Sequence, residues 1–293
     1  MTDLMIDVTP EVLRRMPLPD PEEGDKNARG SVLVIAGGLH VPGAALLAGT
    51  AALRAGAGRL QIATCARIAL AIAIAIPEAL VLGLPETPEG GIDPGAIDRL
   101  APHLAQANAV LIGPGLEDER AIEGLTSAVL HTRAPELPVI IDARAIKGLR
   151  GSGRRHEAIV LTPHPGEMAG LMGVERSEVE ADPAAIAQQA AHDLHAVVAL
   201  KGARTFIASP HDEPAVCREG NVGLATSGSG DVLAGTIVGL LARGAAPYAA
   251  VCWGVYMHAK AGDRLARTVG PLGFMARELL LEIPRIMGDL SKT

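Results

Sequence analysis

The chain has 293 residues, 48% of them hydrophobic but only 2% aromatic, and a formal net charge of −7. It is long enough to bury a substantial core, and its balance of charge leaves no basic face of the kind nucleic-acid binding needs. The three cysteines, at 65, 217 and 252, are too far apart for a zinc cluster or a disulfide framework; each reads as a small buried hydrophobe in a reducing compartment.

Residues 1–29 are rich in Pro, Glu and Asp and read as an extension leading into a single domain over 30–293. They carry no apolar signal core, so a cytoplasmic protein is expected. SVLVIAGG (31–38) is a buried strand ending in glycines, and PGAALLAGTAALRAGAG (42–58) is a helix with a small-residue face. RLQIAT (59–64) is the next strand. The most hydrophobic run, 68–82, is broken by Pro77 and Glu78 and is shorter than a bilayer requires, so no membrane partner is expected. AVLIGPG (109–115), PVIID (138–142) and AIVLT (158–162) continue the strand series, with GSGRRHE (151–157) as a solvated loop. AVVALKG (196–202) and TFIAS (205–209) are close enough to form an antiparallel pair, and apolar helices follow at about 230–243, 246–266 and 273–287. Alternating strands and helices predict an α/β fold, a mostly parallel sheet with helices on both faces. Ligands then bind at the carboxyl ends of the strands, at Gly37-Gly38, Gly113-Pro114-Gly115, Asp142, Thr162-Pro163-His164 and Lys201-Gly202. Walker, dinucleotide-fingerprint, zinc-protease and nucleophile-elbow motifs are absent.

The stretch GLATSGSGDVLAG (223–235) carries the chemistry. Gly228, Ser229 and Gly230 let the backbone turn into a helix whose first N–H groups and dipole suit an anion. A carboxylate beside a bound phosphate is repelled, so Asp231 needs a reason to be there. It either caps the helix or takes the proton from a hydroxyl that attacks phosphorus while the N–H groups hold the moving charge.

GNVGLATSGSGDVLAGTIVGLLARG resembles the signature of the NAD(P)H-hydrate dehydratases, a nucleotide-dependent repair family with a ribokinase-like three-layer α/β/α fold. GSVLVIAGG, PGAALLAGTAALRAGAG, IPEALV, IGPGL, LTPHPGEMAGL and LKGARTFIAS follow in the family's order. The resemblance implies repair of NADHX and NADPHX, in which water has added at C6 of the nicotinamide ring, by phosphorylation of the hydroxyl and expulsion of phosphate. Asp231 is then the base, and the backbone of Gly228, Ser229 and Gly230 the anion hole. In LTPHPGE, Glu167 stands where related kinases organise Mg²⁺ through water, or else merely favours a helix start. His164, in place of their Asn, is expected to contact the hydrate together with Ala44 or Ala45, Gly115 and Asp231. The nucleotide is assigned to Lys201, Gly202, Ala203, Arg204, Thr205, Asn221 and Gly230, with ADP as the consumed donor giving AMP and phosphate. A separate epimerase is the implied functional partner, and a homo-oligomer, commonly a tetramer, the implied assembly. Three departures from the family pattern are Val222 in GNVG, Ser227 in TSGSGD and Arg144 in D-A-R. The competing readings are a vitamin-precursor kinase of the same fold, which would keep its phosphorylated product, and a non-catalytic dinucleotide sensor, which would not need Asp231.

Overall fold

The computed structural model describes residues 5–19, 26–149 and 158–291, so the loop expected at 151–157 lies outside the described residues. Ten strands form one sheet: β1 (Ile6–Asp7), β2 (Ser31–Ile35), β3 (Arg59–Cys65), β4 (Ala79–Leu84), β5 (Ala109–Ile112), β6 (Val139–Ile141), β7 (Ile159–Leu161), β8 (Val197–Leu200), β9 (Thr205–Ala208) and β10 (Ala215–Cys217). Their spatial order is β1-β10-β9-β8-β7-β6-β5-β2-β3-β4. Every pairing is parallel except the two made by β9, whose ladder with β8 is the antiparallel pair expected from the short KGAR connection.

The helices are α1 (Pro10–Arg14), α2 (Gly43–Arg54), α3 (Ala66–Ala75), α4 (Ile97–Leu104), α5 (Glu119–Thr132), α6 (Pro165–Met172), α7 (Arg176–Ala181), α8 (Pro183–Leu194), α9 (Ser229–Ala242), α10 (Pro247–Thr268) and α11 (Ala276–Ser291). Successive residues of a strand point to opposite faces, and β2 shows the result. Val32 and Val34 enter a core shared with α2, α9, α10 and α11, whereas Leu33 and Ile35 enter a second core under α4, α5 and α8. The sheet is covered on both sides, as a parallel sheet requires.

Three strands escaped the sequence reading. The apolar run 68–82 divides at the Pro77–Glu78 break into the end of α3 and most of β4, because an unbroken hydrophobic stretch hides the switch from helical to strand period. The short β1 and β10 carry too few residues to show alternation. Part of the stretch read as an extension joins the domain: Ile6 pairs with Ala215, Leu13 is fully buried, and Trp253 Nε1 donates to the Met16 carbonyl at 2.8 Å. The three cysteines are buried and unpaired, as expected. No helix among the described residues is long and apolar enough to cross a membrane.

The centre of the first core is α9, buried along almost its whole length and pressed against α2. Few aromatics are needed because these two helices meet through small residues. A Cβ added to Gly235 would lie 2.2 Å from the Ala48 carbonyl oxygen, and one added to Gly239 would lie 2.4 Å from that of Ala52. Backbone-to-backbone contact leaves nothing that can rotate away. Gly235→Ala is therefore expected to lower unfolding free energy by about 2 kcal/mol or more, measured by chemical denaturation, and to lower activity because α9 carries the site at its first turn.

Candidate active site

Strands β6, β7 and β8 are neighbours, so the residues that follow them meet at one end of the sheet. Asp142 follows β6, Thr162 follows β7 and Lys201 follows β8. The Lys201 ammonium lies 3.2 Å from Asp142 Oδ1, and the Thr162 hydroxyl donates to that same oxygen at 2.6 Å. Asp142 is 2% exposed. The Lys201 N–H is fixed as well, by donation to the Pro163 carbonyl. Burial pushes the Lys201 pKa down, but Asp142, Glu167 and Asp231 together outweigh it and leave the pKa raised, so the side chain stays cationic. The sequence marks Lys201 as a residue that could reach a phosphate. It also marks Asp142, but only as a strand-end residue; the structure makes it the lysine's anchor.

Asp231 approaches the same lysine from α9. Gly228, in the left-handed region at φ +86°, turns the chain into the helix, a conformation that suits glycine. No side chain caps this helix end. The N–H groups of Gly230 and Asp231 meet no protein acceptor among the described residues, so the first turn is open to an anion. A Cβ on Gly230 would sit 3.5 Å from Lys201 Nζ, which places this turn directly beside the ammonium. The Asp231 carboxylate takes no hydrogen bond within the described chain and so does not serve as the cap that an aspartate at a helix start often provides. Burial, reinforced by Asp142 and only partly opposed by Lys201, raises its pKa to about 7.

His164 and Glu167 form the start of α6. The His164 Nδ1 accepts the N–H groups of Gly166 and Glu167, while Glu167 Oε2 accepts the His164 N–H at 2.8 Å. This reciprocal cap is a structural role for both, and it does not exhaust them. His164 is half exposed and its Nε2 points past Glu167 Oε1 at 3.4 Å. Burial and Asp142 raise the Glu167 pKa, against the opposing pull of Lys201. Three carboxylates thus share one ammonium. If all were ionised the cluster would hold two negative charges in excess.

Beside the cluster opens a cleft of about 730 Å³. His164, Lys201, Gly202, Ala203, Thr205, Asn221, Ser229 and Gly230 line it, so most of the nucleotide-binding set converges. Arg204 is exposed and is absent from the lining. On the side of β2 and β5, Ala44 and Gly115 abut, a Cβ on Gly115 falling 2.7 Å from that of Ala44; Ala44 and Ala45 are both buried, at 3% and 0% exposure. Of the three departures, Val222 and Ser227 are exposed, and Arg144 donates to the Glu117 carbonyl at 2.9 Å.

Sequence reasoning missed two residues of α10, His258 and Asp263. The His258 Nε2 lies 2.9 Å from Ser229 Oγ and 3.0 Å from the Ser229 carbonyl oxygen. A carbonyl can only accept, so Nε2 carries the hydrogen. Burial pushes the His258 pKa down to about 4, so the ring is neutral at neutral pH. Asp263 Oδ2 accepts the Gly220 N–H and its Oδ1 accepts the Asn221 amide.

The family model described as NAD(P)H-hydrate dehydratase matches residues 32–285. The ADP-dependent (S)-NAD(P)H-hydrate dehydratase of Xanthomonas campestris is 46% identical over 291 residues, 97% of each chain. The crystal structure of the ADP/ATP-dependent NAD(P)H-hydrate dehydratase of Bacillus subtilis, co-crystallized with ATP and Mg²⁺, superposes with a TM-score of 0.84 at 31% identity, covering 99% of this chain and 100% of that one. A ribokinase-like superfamily protein of Enterococcus faecalis reaches 0.86 at 27% identity, over 99% of this chain and 98% of its own. The chain also spans about half the length of bifunctional NAD(P)H-hydrate repair enzymes such as that of Escherichia coli. With its ribokinase-like sheet, its phosphate-ready helix start and this extent of likeness, the chain belongs to the NAD(P)H-hydrate dehydratase family.

Proposed function

We propose that the protein restores NADH and NADPH from their C6 hydrates at the expense of ADP. The observation that carries this reading is Asp231: a carboxylate with no hydrogen bond among the described residues, raised to about 7, set against an open helix start and the partly buried Lys201. ADP occupies the cleft along Gly202, Ala203, Thr205 and Asn221, with its β-phosphate toward Gly230 and Lys201. The hydrate's ring lies on the side of Ala44, Gly115 and His164.

Asp231 takes the proton of the C6 hydroxyl as that oxygen bonds to the β-phosphorus and the bond to the AMP oxygen breaks. The charge on the transferred group is met by the N–H groups of the first turn of α9 and by Lys201. The C6 oxygen now leaves with phosphate, driven by the ring nitrogen's lone pair, and loss of a C5 proton restores the C5–C6 double bond. The products are NAD(P)H, AMP and phosphate. A carboxylate with an ordinary pKa would be a weak base here; one poised near 7 is both ionised and basic enough at neutral pH.

No cluster of three His, Cys, Asp or Glu among the described residues forms a direct metal cage. Asp142, Glu167 and Asp231, in excess over Lys201, instead supply hard oxygen donors and negative charge, which suits a Mg²⁺ ion that keeps its waters and is held mainly by phosphate oxygens. Glu167 and Asp231 are the residues that would orient those waters, and the ion would neutralise nucleotide charge. Specificity for the (S) hydrate would call for a separate epimerase to supply it. Leu70 and Ile74 on α3 and Leu80 on the edge strand β4 are exposed, which supports a homo-oligomer, a tetramer in this reading. Three buried, unpaired thiols fit work in the cytoplasm.

Incubation with acid-hydrated NADH, Mg²⁺ and either ADP or ATP tests the proposal. Reduced-nicotinamide absorbance should return with ADP, with one AMP and one phosphate released per coenzyme. Accumulation of a stable phosphorylated product would instead favour the kinase reading. Asp231→Asn should lower kcat by roughly 10² to 10⁴.

Because Asp231 must be ionised to act, kcat/KM should rise with pH through about 7 and then level. Lys201 lowers that pKa, so Lys201→Met should move the rise to higher pH, read from pH–rate profiles. Stability runs the other way. A carboxyl whose folded pKa exceeds its unfolded value stabilises the fold below pH 4, and that contribution is lost as pH rises through about 7. Asp231→Asn should therefore melt at or above the wild-type temperature at pH 8, with the advantage shrinking toward pH 5.

A further inference from the structure

One helix holds both halves of the site. His258 of α10 reaches the residue that starts the anion-binding turn, Ser229, through contacts of 2.9 and 3.0 Å. Asp263, five residues on and so about 7.5 Å further along the axis, reaches the loop that walls the nucleotide cleft. It accepts from the Gly220 N–H at 3.2 Å and from Asn221 Nδ2 at 3.0 Å, and Asn221 Oδ1 in turn accepts the Gly223 N–H at 2.9 Å. Between them, Ala259 packs near Gly220, and Gly262 lies so close to Leu224 that a Cβ there would fall 2.5 Å from its side chain. Lys260 pairs with the cleft-lining Glu219 at 3.1 Å.

Resting on the function proposed above, we infer that α10 is the template of the reaction centre: His258 is a positioning residue for phosphoryl transfer and Asp263 a positioning residue for nucleotide binding. The division follows from what each side chain holds. The His258 N–H fixes the Ser229 carbonyl and, with it, the direction of the first-turn N–H groups. Those groups matter most when charge moves onto the transferred phosphoryl group, so their misalignment is felt in the transition state and little in the ground state. The Asp263 carboxylate fixes the loop 220–224, whose Asn221, Val222 and Leu224 line the cleft. Loosening that loop is felt when ADP binds. Asp263 acts through Gly220 and Asn221; His258 borders the cleft, but its Nε2 hydrogen is engaged by Ser229, through which it acts.

The test measures kcat, KM for ADP, and ADP affinity by calorimetry in the full chain carrying His258→Ala, His258→Gln, Asp263→Ala or Asp263→Asn. Thermal melts show whether each variant folds. His258→Ala should lower kcat at least about tenfold, the scale of one lost hydrogen bond, with ADP affinity within about twofold of wild type by the same reasoning. His258→Gln keeps an N–H donor near the position of Nε2 and should recover most of the loss; should His258→Ala fail to fold, His258→Gln carries the test against His258→Met, which fills the space but cannot donate. Asp263→Ala should weaken ADP binding and raise its KM by about tenfold, with kcat at saturating ADP nearly unchanged. Asp263→Asn retains one acceptor and should fall between.

Parallel losses of kcat and ADP affinity in both sets, or His258→Gln no more active than His258→Met, would overturn the inference. A wild-type protein that bound ADP but turned over no hydrate would instead overturn the function on which it rests.

Discussion

Everything at this site is organised by one partly buried ammonium. Lys201 is held by Asp142 and by the carbonyl of Pro163 at the end of three adjacent parallel strands, and its charge is felt by Glu167 and Asp231. Removing one member of such a group leaves an uncompensated charge in a place of low dielectric, which is more costly than the pair itself is stabilising. The arrangement is better understood as tuning than as glue. Lys201 lowers the pKa of Asp231 while burial and Asp142 raise it, and the opposition brings a carboxylate to about 7.

The same cluster explains why the surrounding fold is so tightly built. A base is useful only if it is placed to within a fraction of an ångström. Asp231 rides on a helix whose contact with α2 is made through Gly235 and Gly239 against backbone, with no long side chain to take up slack. His258 then fixes the Ser229 carbonyl at the head of that helix. A chain with hardly any aromatic residues achieves this by close layering of Ala, Gly, Val and Ile over both faces of the sheet.

Much of this was legible from residues alone, for a physical reason in each case. PVIID, AIVLT and AVVALKG read as short apolar strands covered on both faces, and their carboxyl ends point to Asp142, Thr162-Pro163-His164 and Lys201. GSGD announced an anion-binding helix start, and the structure leaves the N–H groups of Gly230 and Asp231 open, whereas that of Ser229 is taken by the Thr226 carbonyl. What was not legible depends on tertiary approach. Asp142 and Lys201 are 59 residues apart, and nothing local says that an acid after β6 will meet a lysine after β8. His258 and Asp263 sit on one helix, and only the fold brings them to Ser229 and Asn221. The strand β4 was concealed in an apolar run that serves first as helix and then as sheet edge.

The central claim is that Asp231 is a carboxylate held near neutrality by its surroundings. Its ionisation is directly observable in the full chain labelled with ¹³C at aspartate carboxyl groups, the Asp231 resonance being the one missing from Asp231→Asn. The account predicts a midpoint of about 7, displaced upward in Lys201→Met. A midpoint near 4, the ordinary value for aspartate, indifferent to the loss of Lys201, would contradict it.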